Sequence, residues 1–429
     1  QASFGWQPLR VCGQASCTNN PREEQVWEGW SFLVNTKQAP LKASCFSQRL
    51  REGDIVVTKS RSAIGCSDHS CFWPQSSDGI VRVPYVFSPD YDEAQIRWIN
   101  EAMAEFEILT CIDFVNHTTE SDYLSIKSGK GCWSHYGKIG GGQILSLMKK
   151  GCMWKGVIQH ELNHALGFLH EQSRSDRDSY VKIMWEYISA GNKGNFKKSE
   201  NSNNLGLQYD YSSVMHYGTN AFSNTPGRAT IIPIPDASVP IGQRYGLSNL
   251  DVAKINKLYN CNRCSTVLDS PSGSLSSDNH TSKYSSSNAT CFWLIRIPSK
   301  RVSLQFDAFS LKSSTDCKTE YVKIYDGVSQ SSEVLLDKTC GTKSPPVVTA
   351  SGRTVLVEFV RGGTGAATGF KISYSSGRSN PRKNGSINLY PSPGIAATSL
   401  AATLSAGHSE LKGNMCPPSS TSSRFGILT

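Results

Sequence analysis

Apolar side chains recur along this chain in two rhythms, and the changes of rhythm divide it. Residues 1–61 show neither rhythm; they are polar and irregular. Residues 81–85 alternate apolar and polar, as a half-buried strand does. Residues 92–108 place Ile96, Ile99, Met103 and Phe106 at helical spacing, which predicts a helix with one face on a core. Alternation and β-branching predict strands over 111–115, 123–126 and 143–147. A second helix is predicted from near residue 157, a short one over 180–188 and a last one over 250–259, with irregular chain between. From Cys264 the composition turns to serine, threonine and alternating strands, and this all-β pattern runs to residue 375. Residues 376–429 are rich in Ser, Pro, Gly and Ala, lack a core pattern and read as a disordered tail.

At 429 residues the chain suits two domains with flanking segments. Its fourteen cysteines show no CxxC…CxxC zinc pattern, which points to disulfides and an oxidising, extracellular compartment. Glycosylation sequons at Asn116, Asn279, Asn288 and Asn384 agree with secretion. No stretch reaches the roughly 20 apolar residues that span a bilayer, and nothing resembles a nucleic-acid module. A net charge of +9 and a pI near 8.8 would favour an acidic, glycan-bearing matrix. The basic residues are spread along the chain, however, as on an ordinary solvated surface.

The candidate chemistry sits in His160-Glu161-Leu162-Asn163-His164-Ala165-Leu166-Gly167-Phe168-Leu169-His170. His160 and His164 are four apart, so on a helix both can point at one ion. Glu161 lies one step round, able to address a water on that ion without ligating it. Gly167 can take the left-handed backbone that ends a helix, and the turn brings His170 in as a third imidazole. Three imidazoles and an open position suit a catalytic zinc rather than a structural one. A helix with two surface histidines would not explain why Gly167 and His170 fall where they do.

The run continues as Glu171-Gln172-Ser173-Arg174-Ser175-Asp176-Arg177-Asp178, and the whole resembles the astacin family of zinc endopeptidases, with signature HExxHxxGxxHExxRxDRD. Ser213-Val214-Met215-His216-Tyr217-Gly218 resembles the astacin Met-turn. The resemblance implies an α+β metzincin catalytic domain over 62–262, with a mixed sheet, a zinc helix and one Zn2+. It implies that His160, His164 and His170 are the ligands, Glu161 the general base, Met215 the floor of the zinc site and Tyr217 the oxyanion support. Arg51-Glu52-Gly53-Asp54-Ile55 resembles the GD motif of astacin pro-segments, which makes residues 1–61 a pro-segment and Asp54 the inhibitory ligand of a zymogen. A trypsin-like protease cutting after Arg61 would activate it, and Glu171 would then sense the new amino terminus. Strand 143–147 would be the edge that pairs with substrate. The implied disulfides are Cys111–Cys261 and Cys132–Cys152, with Cys66–Cys71 a pair found in hatching-type astacins; Cys12, Cys17, Cys45 and Cys416 receive no partner.

Cys264, Cys291, Cys317 and Cys340, with Glu320-Tyr321-Val322-Lys323-Ile324-Tyr325-Asp326-Gly327 and Thr368-Gly369-Phe370, resemble a CUB domain, an all-β sandwich over 264–375. The implied pairs are Cys264–Cys291 and Cys317–Cys340. Lys312, Glu320 and the glycines around Gly362 stand where many CUB domains place calcium-binding carboxylates, and a lysine in the first of those places argues against calcium there. Together these resemblances imply a secreted zinc endopeptidase, stored as a zymogen in secretory granules, acting on extracellular protein and in particular on egg-envelope glycoproteins. A developmental or matrix-processing protease is the alternative, and a catalytically silent CUB-mediated binding protein a weaker one.

Overall fold

The computed structural model describes residues 50–56, 70–200, 202–277, 290–298, 300–362 and 369–377. The first layer is a seven-stranded sheet built from β1 (Leu50–Arg51), β2 (Ile55–Val56), β3 (Val81–Phe87), β4 (Ile112–Asn116), β5 (Tyr123–Lys127), β6 (Cys132–His135) and β7 (Gly142–Leu147). Their spatial order is β1-β2-β6-β7-β5-β3-β4. The pairs β3–β4, β3–β5 and β5–β7 are parallel, whereas β6 runs antiparallel to β7, so the sheet is mixed.

Two sequence expectations need correction here. Strand 143–147 is not an edge: β7 lies between β6 and β5, and β6 is itself covered by β2, which pairs with it in parallel through Ile55–Ser134 and Val56–His135. Alternation alone cannot rank strands across a sheet. Residues 180–188 are not a helix either. They form strand β8 (Val181–Ile183), paired with β9 (Ile231–Pro233), and a single 3₁₀ turn, Trp185–Tyr187. Two β-branched residues two apart favour a strand once a partner is supplied from about fifty residues away. The segment before residue 61 is also less irregular than expected, since 50–56 is a strand–turn–strand.

Helix α1 (Glu93–Leu109) opens on a capping box, in which the Asp92 side chain accepts from Gln95 N–H at 2.9 Å and Gln95 returns the bond at 3.1 Å. It buries Ile99, Met103 and Phe106. Helix α2 (Lys155–Ala165) packs against α1 and β6 and is buried from Gly156 onward. A buried helix carrying two histidines and a glutamate is costly unless those groups have a task or partners. Helix α3 (Asn249–Leu258) begins at Ser248, again with a capping box, closed by Asp251.

The second region is a sandwich. One sheet orders β10 (Cys264–Leu268), β12 (Thr290–Arg296), β17 (Thr354–Val360), β14 (Tyr321–Asp326) and β15 (Glu333–Thr339). The facing sheet orders β11 (Ser272–Ser276), β18 (Gly369–Gly377), β13 (Arg301–Ser310) and β16 (Val348–Thr349). Between the sheets lie Trp293, Ile295, Val302, Leu304, Ile324, Val357 and Phe370. On its other side the five-stranded sheet joins the core packed around α1 and α3: Val267, Phe292, Leu294, Tyr325 and Leu356 are continuous with Phe106, Leu109 and Val252. Polar contacts fix the junction. The Asn249 amide donates to Val267 O and accepts from Val267 N, and Arg296 reaches Glu105 on α1.

Four of the expected disulfides are present, Cys111–Cys261, Cys132–Cys152, Cys264–Cys291 and Cys317–Cys340. Cys71 is disulfide-bonded, while Cys66 lies outside the described residues, as do Cys12, Cys17, Cys45 and Cys416. Of the sequons, Asn116 is exposed at the end of β4, and Asn279, Asn288 and Asn384 fall outside the described residues, as does the 378–429 portion of the tail.

Candidate metal centre

Helix α2 presents His160 and His164 from successive turns, with ring centroids 4.7 Å apart. The helix ends at Ala165, Leu166 caps it, and Gly167 turns the chain at φ +95°, a conformation that a side chain would resist. A Cβ at Gly167 would also meet the Phe72 ring at 2.7 Å. The turn returns His170 to the other two, its ring 5.0 Å from that of His160 and 4.8 Å from that of His164. All three side chains are buried.

The fourth member is Asp54. Its Oδ2 lies 3.1 Å from Nε2 of both His160 and His170, and its Oδ1 3.4 Å from Nε2 of His164. Among the described residues these four form the one group of His, Cys, Asp and Glu side chains whose ligand atoms converge, all within 4.8 Å. The donor chemistry fits a cation. His160 Nδ1 is 2.7 Å from Val214 O, His164 Nδ1 2.7 Å from Phe168 O, and His170 Nδ1 2.9 Å from Glu52 Oε2. Each of those acceptors takes an N–H, so in the neutral ring that a metal would bind the proton is on Nδ1 and Nε2 keeps its lone pair. The His160 and His164 Nε2 atoms are then 3.1 Å apart, and those of His160 and His170 3.2 Å, so lone pairs face one another. That arrangement is repulsive unless a cation sits among them. Zn–N bonds of about 2.0–2.1 Å at tetrahedral angles would set such nitrogens roughly 3.3 Å apart.

Glu161 is buried beside this group, and its Oε2 has no hydrogen-bond partner among the described residues. Burial, reinforced by the Asp54 carboxylate, pushes its carboxyl well above the usual range, and Arg244 opposes the shift. Tyr217 stacks edge-on against His170 at 4.5 Å and donates its hydroxyl to the Glu52 carbonyl. Burial, then the charges of Asp54 and Glu52, hold its phenol well above its ordinary value, so it remains a donor.

The turn carrying Met215 is held from α3 in a way the sequence did not disclose. Asp251 accepts from Ser213 Oγ at 2.5 Å, Val214 N at 2.9 Å and Ser248 N at 3.0 Å. Fixing Val214 fixes the carbonyl that orients His160. Met215 itself is buried in the catalytic core, and its carbonyl accepts from Glu171 N at 3.1 Å. The Glu171 carboxylate is occupied by Lys254, by Arg174 Nη1 at 3.3 Å and by the Asp210 amide at 2.8 Å. Arg61, the expected cleavage position, lies outside the described residues.

The family model for the astacin peptidases matches residues 67–260, and that for the CUB domain residues 264–374. Over 332 residues the chain is 61% identical to the astacin-like metalloendopeptidase of Gallus gallus, covering 77% of this chain and 80% of that one. The chain belongs to the astacin family. It is accordingly a metalloendopeptidase, with proteins as its substrate class and zinc as the family's metal. High choriolytic enzyme 1 of Oryzias latipes is 53% identical over 234 residues, 54% of this chain and 86% of that one. The solved structure of that hatching enzyme zinc-protease superposes with a TM-score of 0.45, covering 46% of this chain and 98% of its own. In this astacin the fold class expected from sequence is found: a mixed-sheet metzincin domain followed by a CUB sandwich. Among the described residues no helix is long and apolar enough to cross a membrane.

Proposed function

We propose that this astacin is a secreted endopeptidase made as a zymogen, in which Asp54 occupies the catalytic position of a zinc held by His160, His164 and His170. The observation that carries the reading is the Asp54 carboxylate standing where the three Nε2 atoms converge. An anionic oxygen there fills the position a water needs, and the Tyr217 hydroxyl is simultaneously tied to the Glu52 carbonyl. Departure of 50–56 frees three things together: the ligand position, the tyrosine hydroxyl and the β6 edge that β2 covers. Zinc bound there supplies a Lewis acid that polarises the scissile carbonyl and acidifies water. Glu161 takes the proton of the attacking water and returns it to the leaving amine; departure of Asp54 removes the charge that, after burial, raises its carboxyl. Tyr217 donates to the developing oxyanion. Met215 closes the apolar side of the site.

Cleavage after Arg61 by a trypsin-like protease is the activating step, and Glu171, held by Lys254 and Arg174, is the carboxylate that receives the new terminus. Secretion is supported by the disulfides, which persist in oxidising compartments. The egg envelope is the substrate that best fits a chain 53% identical to a choriolytic enzyme. In the CUB domain, Lys312 standing where a calcium-binding carboxylate would be needed is the ground on which calcium is not expected. The test is hydrolysis of casein and of isolated egg envelope by the chain before and after tryptic activation, with and without a zinc chelator. Activity should appear on cutting and vanish on chelation; cleavage that ignores the chelator would overturn the reading.

A further inference from the structure

The three imidazoles differ in where their outer nitrogens go. Val214 O and Phe168 O, which orient His160 and His164, belong to the catalytic domain and remain after any cut upstream of it. The acceptor for His170 is the carboxylate of Glu52, on the segment that has to leave. We propose that Glu52 is part of the metal centre of the uncut chain: the outer carboxylate of the third histidine, and a second anchor of the inhibitory segment beside Asp54. This rests on the zinc reading above and adds to it.

Glu52 is nearly inaccessible, at 2% exposure. Its Oε1 accepts from Arg51 Nε at 3.1 Å, and its Oε2 from His170 Nδ1 at 2.9 Å and the His170 amide at 3.4 Å. A carboxylate this buried is costly unless charges or donors surround it, and His170 supplies two of those donors. The backbone is bent to allow this. Glu52 lies at φ +51° and Gly53 at φ +87°, the former a conformation uncommon for any residue with a side chain. The reversal lets carboxylates two positions apart bracket one ring: Glu52 on Nδ1 and Asp54 on Nε2, at 2.9 and 3.1 Å. A carboxylate on the outer nitrogen fixes the tautomer and raises the basicity of the inner one, which strengthens the metal bond. The uncut chain therefore holds zinc more tightly than the cut one for two reasons, an extra ligand from Asp54 and a better ligand in His170. By reciprocity, zinc strengthens the grip on the segment by the same factor.

The experiment uses the full chain carrying Glu161→Ala, so that it cannot process itself. Zinc affinity is measured by competition with a chromophoric chelator for this parent and for Glu52→Ala, Glu52→Gln and Asp54→Ala added to it. Glu52→Ala should weaken zinc binding about 10–100-fold, as loss of an outer-shell partner does. Glu52→Gln should lose less, because its amide oxygen still accepts from Nδ1. Cutting away the segment leaves identical catalytic chains, so all four should then converge on one weaker constant; persistent differences would point to misfolding and overturn the assignment. Glu52→Ala binding zinc as tightly as the parent, while Asp54→Ala binds it more weakly, would also overturn it. A parent that takes up no stoichiometric zinc would instead remove the reading beneath.

Discussion

Substituting Glu105 by alanine should destabilise both domains at once. Its carboxylate is fully buried on α1 and is claimed by Arg296 of the CUB domain and by two residues of the zinc helix, Lys155 at 2.9 Å and Gln159 at 3.0 Å. Burial alone would push this carboxyl upward, but Lys155 and Arg296 outweigh it and hold the group at about 2. Relative to an ordinary glutamate near 4.5, that depression corresponds to about 3 kcal/mol of stability at neutral pH. The folded-state value is the lower one, so this contribution is complete above about 4.5 and is lost as pH falls towards about 2. Glu105→Ala removes the buried partner of two part-buried cations, Lys155 and Arg296, a loss of about 3 kcal/mol, at the low end of what breaking a buried pair costs. For a unit of this size it should lower the melting temperature by roughly 10 °C. Calorimetry at pH 7 checks the shift, and the gap between parent and variant should narrow as the pH is lowered through the window above. Arg296→Ala should cost less, since Lys155 still neutralises the carboxylate, and the double substitution should cost less than the sum. A Glu105→Ala protein that melts with the parent would refute the view that this cluster joins the CUB domain to the zinc helix.

Three further outcomes follow from the site. Glu161→Ala should keep the fold and the metal while the activated enzyme loses about 10²–10⁴ in kcat, measured on a quenched fluorescent peptide. Tyr217→Phe should lower kcat by about 10²–10³ with little change in KM, the mark of a donor used only in the transition state; a pure KM effect would speak against that role. Asp54→Ala with Glu52→Ala should show low peptidase activity without any cut, because both anchors of the segment are then gone; a doubly substituted uncut chain as silent as the parent would count against the carboxylate switch.

How much of this was legible beforehand depended on how local the signal was. The two histidines on α2, the glycine turn and His170 are set by spacing within eleven residues, and the structure brings them together as read. Helix α1 announced itself by the spacing of Ile99, Met103 and Phe106, and lies within one residue of its expected ends. What failed was non-local. The rank of β7 in the sheet depends on where β6 and β2 pair, and the strand Val181–Ile183 exists because Ile231–Pro233 lies beside it. Glu52 was in plain view, one residue from the glycine of a recognised motif. Its role depends on two successive left-handed residues, which alternation rules would place otherwise. Docking of the CUB domain was equally hidden: Phe292, Leu294 and Leu356 read as ordinary sandwich residues, and nothing local says that they face another domain's core.

The central claim is that one zinc ion is held by three imidazoles and, before activation, by an aspartate from the pro-segment. Zinc K-edge X-ray absorption on the purified uncut chain, with elemental analysis on the same sample, tests it directly. The account predicts one zinc per chain, coordinated by three nitrogens and by carboxylate oxygen. Absence of stoichiometric zinc, or sulfur in its coordination shell, would contradict it.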